Sequence, residues 1–479
     1  MIRFSVLFLG CCLSLSIPAQ AAGPADPSAA QVIAPESDAA QRALHAWLAA
    51  FDANDRKQLE SFRDHYQPTM NVDDMLEFYQ QTGGFRLLRA EPTAPGSAQA
   101  LVQERDSDTV ARVKATLLPG KPLALDIDAT QRPEDLRIPR MDQAAAIDAL
   151  AARADAAAKR DAFSGVVLVA RGNQVLLQRA WGVADRGTGA PVTLDTKYRL
   201  GSMDKMFTAV ATLQLVQAGK LSLDGTVGQY LPSYPNADIA KVTIRQLLTH
   251  SGGTGDIFGP QFDAQRLSLR THDDYVRLYG ARGPDHAPGK DYRYSNYGFV
   301  LLGDIIEHVS GQSYYDYVGQ HVFAPAGMRD SGSLPEDVDV PGRAHAYTRK
   351  NAAAPWLDAA STLPYRGTAA GGGYSTAGDL LKFARALRAG TLLSPGLQAE
   401  MLRKQSPWYG YGFMVADEEG VPAYGHGGGA QGMNGELRIF PTLDEVVVAL
   451  ANVDPQAATR LVEYYQVRMP LDPRMDAGH

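Results

Sequence analysis

A serine and a lysine stand three residues apart at the start of an apolar, helix-like segment, in the sequence Ser202-Met203-Asp204-Lys205. Residues three apart on a helix lie on one face, about one turn from each other. A serine hydroxyl needs a nearby base to become a good nucleophile, and a lysine can be that base when burial lowers its pKa. The same spacing also arises from an N-cap serine and a solvated lysine, so the pair needs support from elsewhere in the chain.

A tyrosine and an asparagine form a second element, Tyr294-Ser295-Asn296, which follows a Pro-Gly turn and precedes an apolar helix. A tyrosine hydroxyl beside a lysine can relay a proton. An asparagine amide can orient a substrate carbonyl and the lysine together. This element therefore supplies the kind of groups that a serine nucleophile and a lysine base require.

Glycines surround a histidine in the third element, Gly425-His426-Gly427-Gly428-Gly429, shortly before a C-terminal hairpin. Glycines let a substrate lie against the edge of a strand, and a free backbone N–H there can face an oxyanion. A histidine in such surroundings can also be purely structural, so its role stays open at this point.

The three elements, in this order, resemble the motifs of the serine β-lactamase and penicillin-binding-protein superfamily, which shares the Ser-x-x-Lys element. The run 294–296 has the Tyr-Ser-Asn form of class C β-lactamases and their relatives, and the run 426–428 stands where β-lactamases have Lys-Thr-Gly. Further similar segments extend the resemblance over about residues 145–465; they are 247–253, 325–328 and 371–376.

The resemblance implies a covalent mechanism. Ser202 would be the acylated nucleophile, with Lys205 as its base partner. Tyr294 would pass a proton to the leaving group and later activate the water that deacylates the enzyme. No metal or organic cofactor is implied.

The resemblance also implies how a substrate is held. Asn296 would bind the amide or ester carbonyl of the substrate, while His426 and Gly428 would line the site. The backbone N–H groups of Ser202 and Gly429 would form the oxyanion hole.

The glycine-rich element departs from that of β-lactamases in ways that bear on the substrate. A lysine at the His426 position would offer a substrate carboxylate a permanent positive charge, whereas histidine is charged mostly below neutral pH. Gly427 also removes a threonine hydroxyl that would help to bind that carboxylate. Efficient β-lactam hydrolysis is therefore not expected. The His-Gly-Gly form is similar to D-aminopeptidases and related peptidases, and family esterases also vary here.

The sequence thus predicts an exported serine hydrolase that cleaves an amide or ester bond in a small molecule or peptide, as a peptidase, an esterase or a weak β-lactamase. The alternative is a penicillin-binding receptor or sensor that is acylated, or binds cell-wall fragments, without turnover. A third hypothesis is a scaffold protein that has kept the motifs by descent. Because both acylation and deacylation residues are present, turnover is favoured.

The order of the predicted elements indicates an α+β fold that begins with a small domain over residues 39–135. An apolar stripe that includes Leu44, Trp47 and Phe51 predicts its first helix, and a second helix follows. Alternating segments then predict an antiparallel meander, with strands near 85–92, 98–106, 109–118 and 121–129. This arrangement resembles the NTF2-like cone. We expect a structural or docking module here, with a ligand-binding pocket as the alternative.

The second domain is predicted over residues 140–470. A helix at 142–157 and a hairpin at 165–181 begin it, and a hairpin and a helix at 436–464 end it. Strands at both ends of a helical middle predict an antiparallel sheet assembled from the termini, with a helical subdomain beside it. This is the β-lactamase-like fold that the resemblance implies.

The N-terminus predicts export. The apolar stretch 4–17 is too short to span a bilayer, and 19–21 has the small-x-small pattern of a signal-peptidase site, so we expect cleavage after Ala21 and a linker over 22–38. A lipid anchor at Cys11 is a weaker alternative. Cys11 and Cys12 are the only cysteines. The mature protein would then fold without disulfides, in the periplasm or outside the cell.

The charge distribution argues against some classes of function, and three weaker motifs have structural explanations. A net charge of −7 without a basic cluster argues against nucleic-acid binding, and no other stretch is apolar enough for a membrane span. The oligomeric state stays open.

The run 373–377 loosely resembles a nucleophile elbow but fits a helix start better. We expect His250 to be structural and His272-Asp273-Asp274 to be a solvated helix start instead of a metal site.

Overall fold

The chain folds into two units in the computed structural model, which describes residues 3–5, 35–91, 93–351 and 354–472. One unit comprises residues 1–139 and 350–354, and the other comprises 140–349 and 355–479. Most of the expected leader, with the cleavage site after Ala21, lies outside the described residues.

Three helices precede an antiparallel meander in the first unit. Its elements are β1 (Arg3–Ser5), α1 (Pro35–Asp52), α2 (Arg56–Tyr66), α3 (Val72–Thr82), β2 (Phe85–Glu91), β3 (Ser97–Glu104), β4 (Val110–Thr116) and β5 (Ala124–Thr130). The sheet order is β1-β5-β4-β3-β2, and β1 runs parallel to β5. The α+β order predicted for this region is therefore confirmed, while the likeness to an NTF2 cone stays a prediction.

The apolar stripe of α1 forms the core of this unit. Leu44, Trp47 and Phe51 are buried, and the Trp47 ring stacks on Phe51 with 5.1 Å between centroids and lies 6.1 Å from Phe85. The expected second helix is in fact two helices, because Asn71 caps a new one by accepting a hydrogen bond from the Asp73 N–H. The first helix also begins at Pro35, inside the segment expected to be a linker, and β1 lies inside the expected leader.

The second unit alternates strands with a long helical region. Its helices are α4 (Gln143–Lys159), α5 (Asp204–Gln217), α6 (Val227–Tyr230), α7 (Ile244–Leu248), α8 (Pro260–Gln265), α9 (His272–Tyr279), α10 (Asn296–Ser310), α11 (Tyr314–Val318), α12 (Ala324–Ala326), α13 (Ala377–Arg388), α14 (Pro395–Leu402) and α15 (Thr459–Gln466). Its strands are β6 (Gly165–Arg171), β7 (Gln174–Trp181), β8 (Val183–Asp185), β9 (Ala190–Pro191), β10 (Tyr198–Arg199), β11 (Tyr347–Thr348), β12 (Leu357–Asp358), β13 (Tyr374–Ser375), β14 (Met414–Glu418), β15 (Val421–Ala430), β16 (Met433–Phe440) and β17 (Glu445–Ala451).

A six-stranded antiparallel sheet joins the two ends of this unit in the order β14-β15-β16-β17-β6-β7. The C-terminal strand β17 pairs with β6 so that Val448 lies opposite Leu168. This confirms the predicted assembly of the sheet from both termini. Strands β6 and β17 are almost completely buried, as expected where helices cover both faces of a sheet.

Helix α5 runs through the core between this sheet and the helical region. Its side chains from Asp204 to Leu213 are all buried, and it packs against α10 and α11. The single turn that precedes it, residues 201–203, packs against β15. The fold therefore brings the three sequence elements to one place. None of the helices in the described part of the chain is both long and apolar enough to cross a membrane.

Candidate active site

Ser202 lies in a one-turn 3-10 helix, Gly201–Met203, immediately before α5. Gly201 has a φ of 52°, which favours glycine, and a Cβ atom there would lie 2.8 Å from the Gly429 nitrogen. The turn therefore presses directly against β15, and the serine sits where the first and third sequence elements meet.

Lys205 is completely buried and contacts three acceptors. Its Nζ lies 3.2 Å from Ser202 Oγ, 2.8 Å from Asn296 Oδ1 and 2.5 Å from the Ala370 carbonyl oxygen. Burial lowers the pKa of Lys205 to about 7, although the negative charges of Asp256 and Asp204 oppose the shift. An amine with such a pKa is partly neutral near pH 7 and can accept the proton of the neighbouring serine.

Tyr294 completes the group around the serine. Its ring centroid lies 4.8 Å from Lys205 Nζ, and its hydroxyl interacts with Ser202. Burial raises the pKa of Tyr294, and the interaction with Ser202 only partly offsets this. The phenol therefore stays protonated at neutral pH and can give its proton to a group that binds next to Ser202.

Asn296 is the first residue of α10, and its orientation is fixed from two sides. The Ser295 hydroxyl caps the helix by accepting the Gly298 N–H. The Asn296 side-chain oxygen accepts from Lys205, while Nδ2 lies 2.9 Å and 3.2 Å from the two carboxylate oxygens of Asp256. The asparagine therefore links an exposed carboxylate to a buried amine.

The glycine-rich strand forms the opposite wall. Strand β14 pairs with β15 only as far as Gly425, so the following residues of β15 present a free edge to the Ser202 turn. A Cβ atom at Gly428 would lie 1.9 Å from the Leu200 carbonyl oxygen and 3.0 Å from the Ser202 nitrogen. Only glycine fits there. The Gly429 amide adjoins the same turn, which is compatible with an oxyanion hole made with the Ser202 amide.

A β-lactamase family model matches residues 145–468, more than half of the chain. The chain belongs to the β-lactamase family. The resemblance that the motifs indicated is therefore confirmed, together with the α+β fold that it implied.

Relatives of this β-lactamase-family protein include penicillin-binding and hydrolytic proteins. Penicillin-binding protein 4 of Amycolatopsis lactamdurans is 32% identical over 306 residues, which cover 58% of this chain and 77% of that protein. Esterase EstB of Burkholderia gladioli is 31% identical over 313 residues, covering 56% and 80%. A D-stereospecific amidohydrolase from Streptomyces sp. is 31% identical with a TM-score of 0.56, covering 67% of this chain and 98% of that one. These findings confirm a serine hydrolase related to β-lactamases.

His426 is buried in this β-lactamase-family protein. Its Nδ1 lies 2.6 Å from the Gly427 carbonyl oxygen, which can only accept, so Nδ1 carries the proton and Nε2 accepts from the Tyr409 hydroxyl at 3.0 Å. Burial, together with the charge of Lys205, lowers the pKa of His426 to about 3. The imidazole is therefore neutral near pH 7 and gives a substrate carboxylate no cation.

A glycine-rich loop, residues 367–373, also shapes the site of this β-lactamase-family domain. Its Ala370 carbonyl binds Lys205, and its Gly372 N–H donates to the Gly201 carbonyl at 3.2 Å. The Asp204 carboxylate accepts from the Gly373 N–H at 2.5 Å. The sequence indicates the 371–376 segment only as a family likeness, because any residue type can supply a backbone carbonyl.

Two histidines outside the three sequence elements contact the site. His250 Nδ1 accepts the Ser295 N–H at 3.1 Å, and its ring lies 4.3 Å from that of Tyr294, as a structural role requires. His272 is not solvated as expected: it is buried, its Nδ1 lies 3.1 Å from Glu307, and Nε2 accepts the Ala369 N–H at 3.0 Å. Among the described residues, no group of three or more potential ligands could hold a metal ion.

Three contributors to the site were missed at the level of sequence. They are Asp256, Tyr409 and Ala370. Asp256 lies 40 residues before Asn296, and Tyr409 lies 17 residues before His426. Neither spacing forms a motif, so only the folded chain reveals these partners.

Proposed function

We propose that this protein hydrolyses an ester or amide bond through an acyl-enzyme formed on Ser202. The observation that carries the proposal is the 3.2 Å separation of Lys205 Nζ and Ser202 Oγ, in which the amine is fully buried. A buried, partly neutral lysine beside a serine hydroxyl is the arrangement that nucleophilic catalysis needs. The relatives named as an esterase and an amidohydrolase support ester and amide bonds as the substrate class.

Acylation begins when neutral Lys205 takes the proton of Ser202 as Oγ bonds to the substrate carbonyl carbon. The Ser202 and Gly429 amides bind the oxyanion, and Asn296 holds Lys205 beside the serine through its side-chain oxygen. When the tetrahedral intermediate collapses, the bond to the leaving group breaks. Tyr294 gives its proton to the departing oxygen or nitrogen and regains one from Lys205.

Deacylation reverses these proton movements. A water molecule attacks the acyl carbon and gives its proton to the Tyr294 oxygen as the tyrosine proton moves to neutral Lys205. The second intermediate collapses, the bond between the acyl carbon and Ser202 Oγ breaks, and Lys205 returns the proton to the serine. The acid product leaves and the free enzyme is restored.

The test is the intact mass of the protein after exposure to a fluorophosphonate and, separately, to a penicillin. We expect a single fluorophosphonate adduct that is absent in Ser202→Ala and present in Ser222→Ala, a matched exposed serine. Turnover of p-nitrophenyl acetate should likewise be lost in Ser202→Ala and retained in Ser222→Ala. A Ser202→Ala protein that still turned over the ester would refute the assignment. A penicillin adduct that persists without any ester turnover would instead support the receptor or sensor.

We further propose that the protein acts in the periplasm or outside the cell, after cleavage behind Ala21. The short apolar stretch and the signal-peptidase pattern support this proposal. N-terminal sequencing of the protein from its native host should begin at Ala22, and such cleavage would also remove β1. Recovery of a chain that still begins at Met1 would contradict export by this route.

A further inference from the structure

Asp256 places a carboxylate where the site opens to solvent. The residue is exposed, whereas its partner Asn296 is buried, so the carboxylate lies on the solvent side of the asparagine amide. Both oxygens are within hydrogen-bond distance of Asn296 Nδ2, and Oδ1 also accepts the Ile257 N–H at 2.7 Å. These donors are neutral, so they orient the carboxylate without removing its charge.

Neither Arg282 nor Lys205 forms an ion pair with this carboxylate. Arg282 Nη1 donates to the backbone carbonyl of Asp256 at 2.9 Å, and its guanidinium packs over the Tyr279 ring at 4.2 Å. Within the described part of the chain, no ion pair of 4.0 Å or less involves the Asp256 carboxylate. The Asn296 side chain lies between Lys205 and the carboxylate and binds both. The negative charge is therefore available to a bound molecule.

The Asp256 carboxylate therefore presents hydrogen-bond acceptors beside Asn296. The asparagine oxygen is occupied by Lys205, and its amide nitrogen is held by the Asp256 carboxylate. A carbonyl oxygen of a substrate side chain would meet carboxylate oxygens there and be repelled. A positively charged donor would be attracted, and His426, which is neutral, adds no positive charge to oppose it.

We propose that Asp256 selects ester or amide substrates that carry an ammonium group close to the scissile carbonyl. This inference rests on the proposed acyl-enzyme at Ser202. The substrate ammonium pairs with the Asp256 carboxylate while its carbonyl carbon lies against Ser202. Acylamino substituents, which present a carbonyl oxygen at this place, are disfavoured, as are carboxylates.

Two boronic acids of equal size test the proposal. Boronic acids form tetrahedral adducts with nucleophilic serines, so they report binding without a leaving group. The inhibitors are 3-aminopropylboronic acid and butylboronic acid, which differ only in an ammonium in place of a methyl group. Their inhibition constants against p-nitrophenyl acetate hydrolysis are compared in the wild type, in Asp256→Asn and in Asp263→Asn, an exposed aspartate in the neighbouring helix.

We expect the wild type and Asp263→Asn to bind the ammonium inhibitor at least about fivefold more tightly, and Asp256→Asn to bind both about equally. The wild-type preference should also shrink between about 0.02 M and about 0.5 M salt, a measurement that needs no variant. Equal binding by the wild type, or a preference that survives in Asp256→Asn, overturns the proposal while leaving the acyl-enzyme intact. If neither boronic acid inhibits and the ester is not hydrolysed, the proposed function itself fails and this inference fails with it.

Discussion

The side-chain oxygen of Asn296 lies 2.8 Å from Lys205 Nζ, and the amide nitrogen of the same asparagine binds Asp256. This bridge fixes the amide in one orientation, because the oxygen must face the amine and the nitrogen must face the carboxylate. An exposed charge is thereby coupled to the protonation of a buried base. The first prediction follows from this coupling.

The pH dependence of kcat/KM should show an acid limb set by Lys205. The lysine must be neutral to accept the Ser202 proton, and its pKa is lowered to about 7, so the rate should rise as pH rises through that value. Asp256 raises the pKa of Lys205, so Asp256→Asn should move the limb to lower pH. His426→Gln should leave the midpoint in place, because the pKa of His426 is about 3. A midpoint that moves with His426 and not with Asp256 would contradict the assignment of Lys205.

Replacement of Lys205 itself should abolish most of the activity. Lys205→Met removes the base and should lower kcat/KM for p-nitrophenyl acetate by about 10²–10⁴-fold. Lys220→Met, at an exposed lysine just beyond α5, is the control and should keep wild-type rates. Circular dichroism should show that both variants are folded. A folded Lys205→Met protein with a tenth or more of the wild-type rate would show that another group is the base.

Tyr294→Phe should affect poor leaving groups most. The tyrosine donates the proton that an alkoxide or amine needs on departure, whereas p-nitrophenolate leaves without one. We therefore expect kcat/KM to fall by about 10²–10⁴-fold for ethyl acetate and much less for p-nitrophenyl acetate. Tyr275→Phe is the matched control, since its buried hydroxyl has no hydrogen-bond partner among the described residues. An equal loss on both esters would argue that Tyr294 only shapes the site.

Gly428→Ala should displace the nucleophile. The added methyl group would lie 1.9 Å from the Leu200 carbonyl oxygen, so the Ser202 turn or the strand must shift. We expect fluorophosphonate labelling to slow by about 10²-fold or more, because small misplacements of reacting groups are costly. Gly396→Ala, where nothing lies within 4 Å, should label at the normal rate. Normal labelling of Gly428→Ala would place the strand farther from Ser202 than described.

His272→Ala should destabilise the fold around the 367–373 loop. The buried imidazole joins Glu307 to the Ala369 N–H, and its loss leaves that amide without its acceptor. We expect the free energy of unfolding to fall by about 1–3 kcal/mol. His308→Ala, at a side chain that is 53% exposed, should change it far less. Equal effects of the two substitutions on urea denaturation would show that the loop does not depend on His272.

Much of the fold could be read from the sequence, because local patterns report local structure. The hairpin at 165–181, the helix capped by Asp142 and the helix that begins after Thr376 follow from turn, capping and apolar patterns. The break between α2 and α3 was missed, although Pro68 and the helix-capping Asn71 both mark it. The sequence patterns also suggested that His272 is solvated, since acidic neighbours at a helix start normally face water.

The family, the α+β fold and the residue types that could do the chemistry were predictable from motif spacing and hydrophobic periodicity, because both are properties of the chain. The groups that surround these residues became known from the folded protein. Asp256 reaches Asn296 across 40 residues, and the Ala370 carbonyl reaches Lys205 across 165. Such contacts depend on how α5, α10 and the glycine-rich loop pack together. The pKa of a buried lysine or histidine depends on that packing as well, because desolvation is a property of the folded interior.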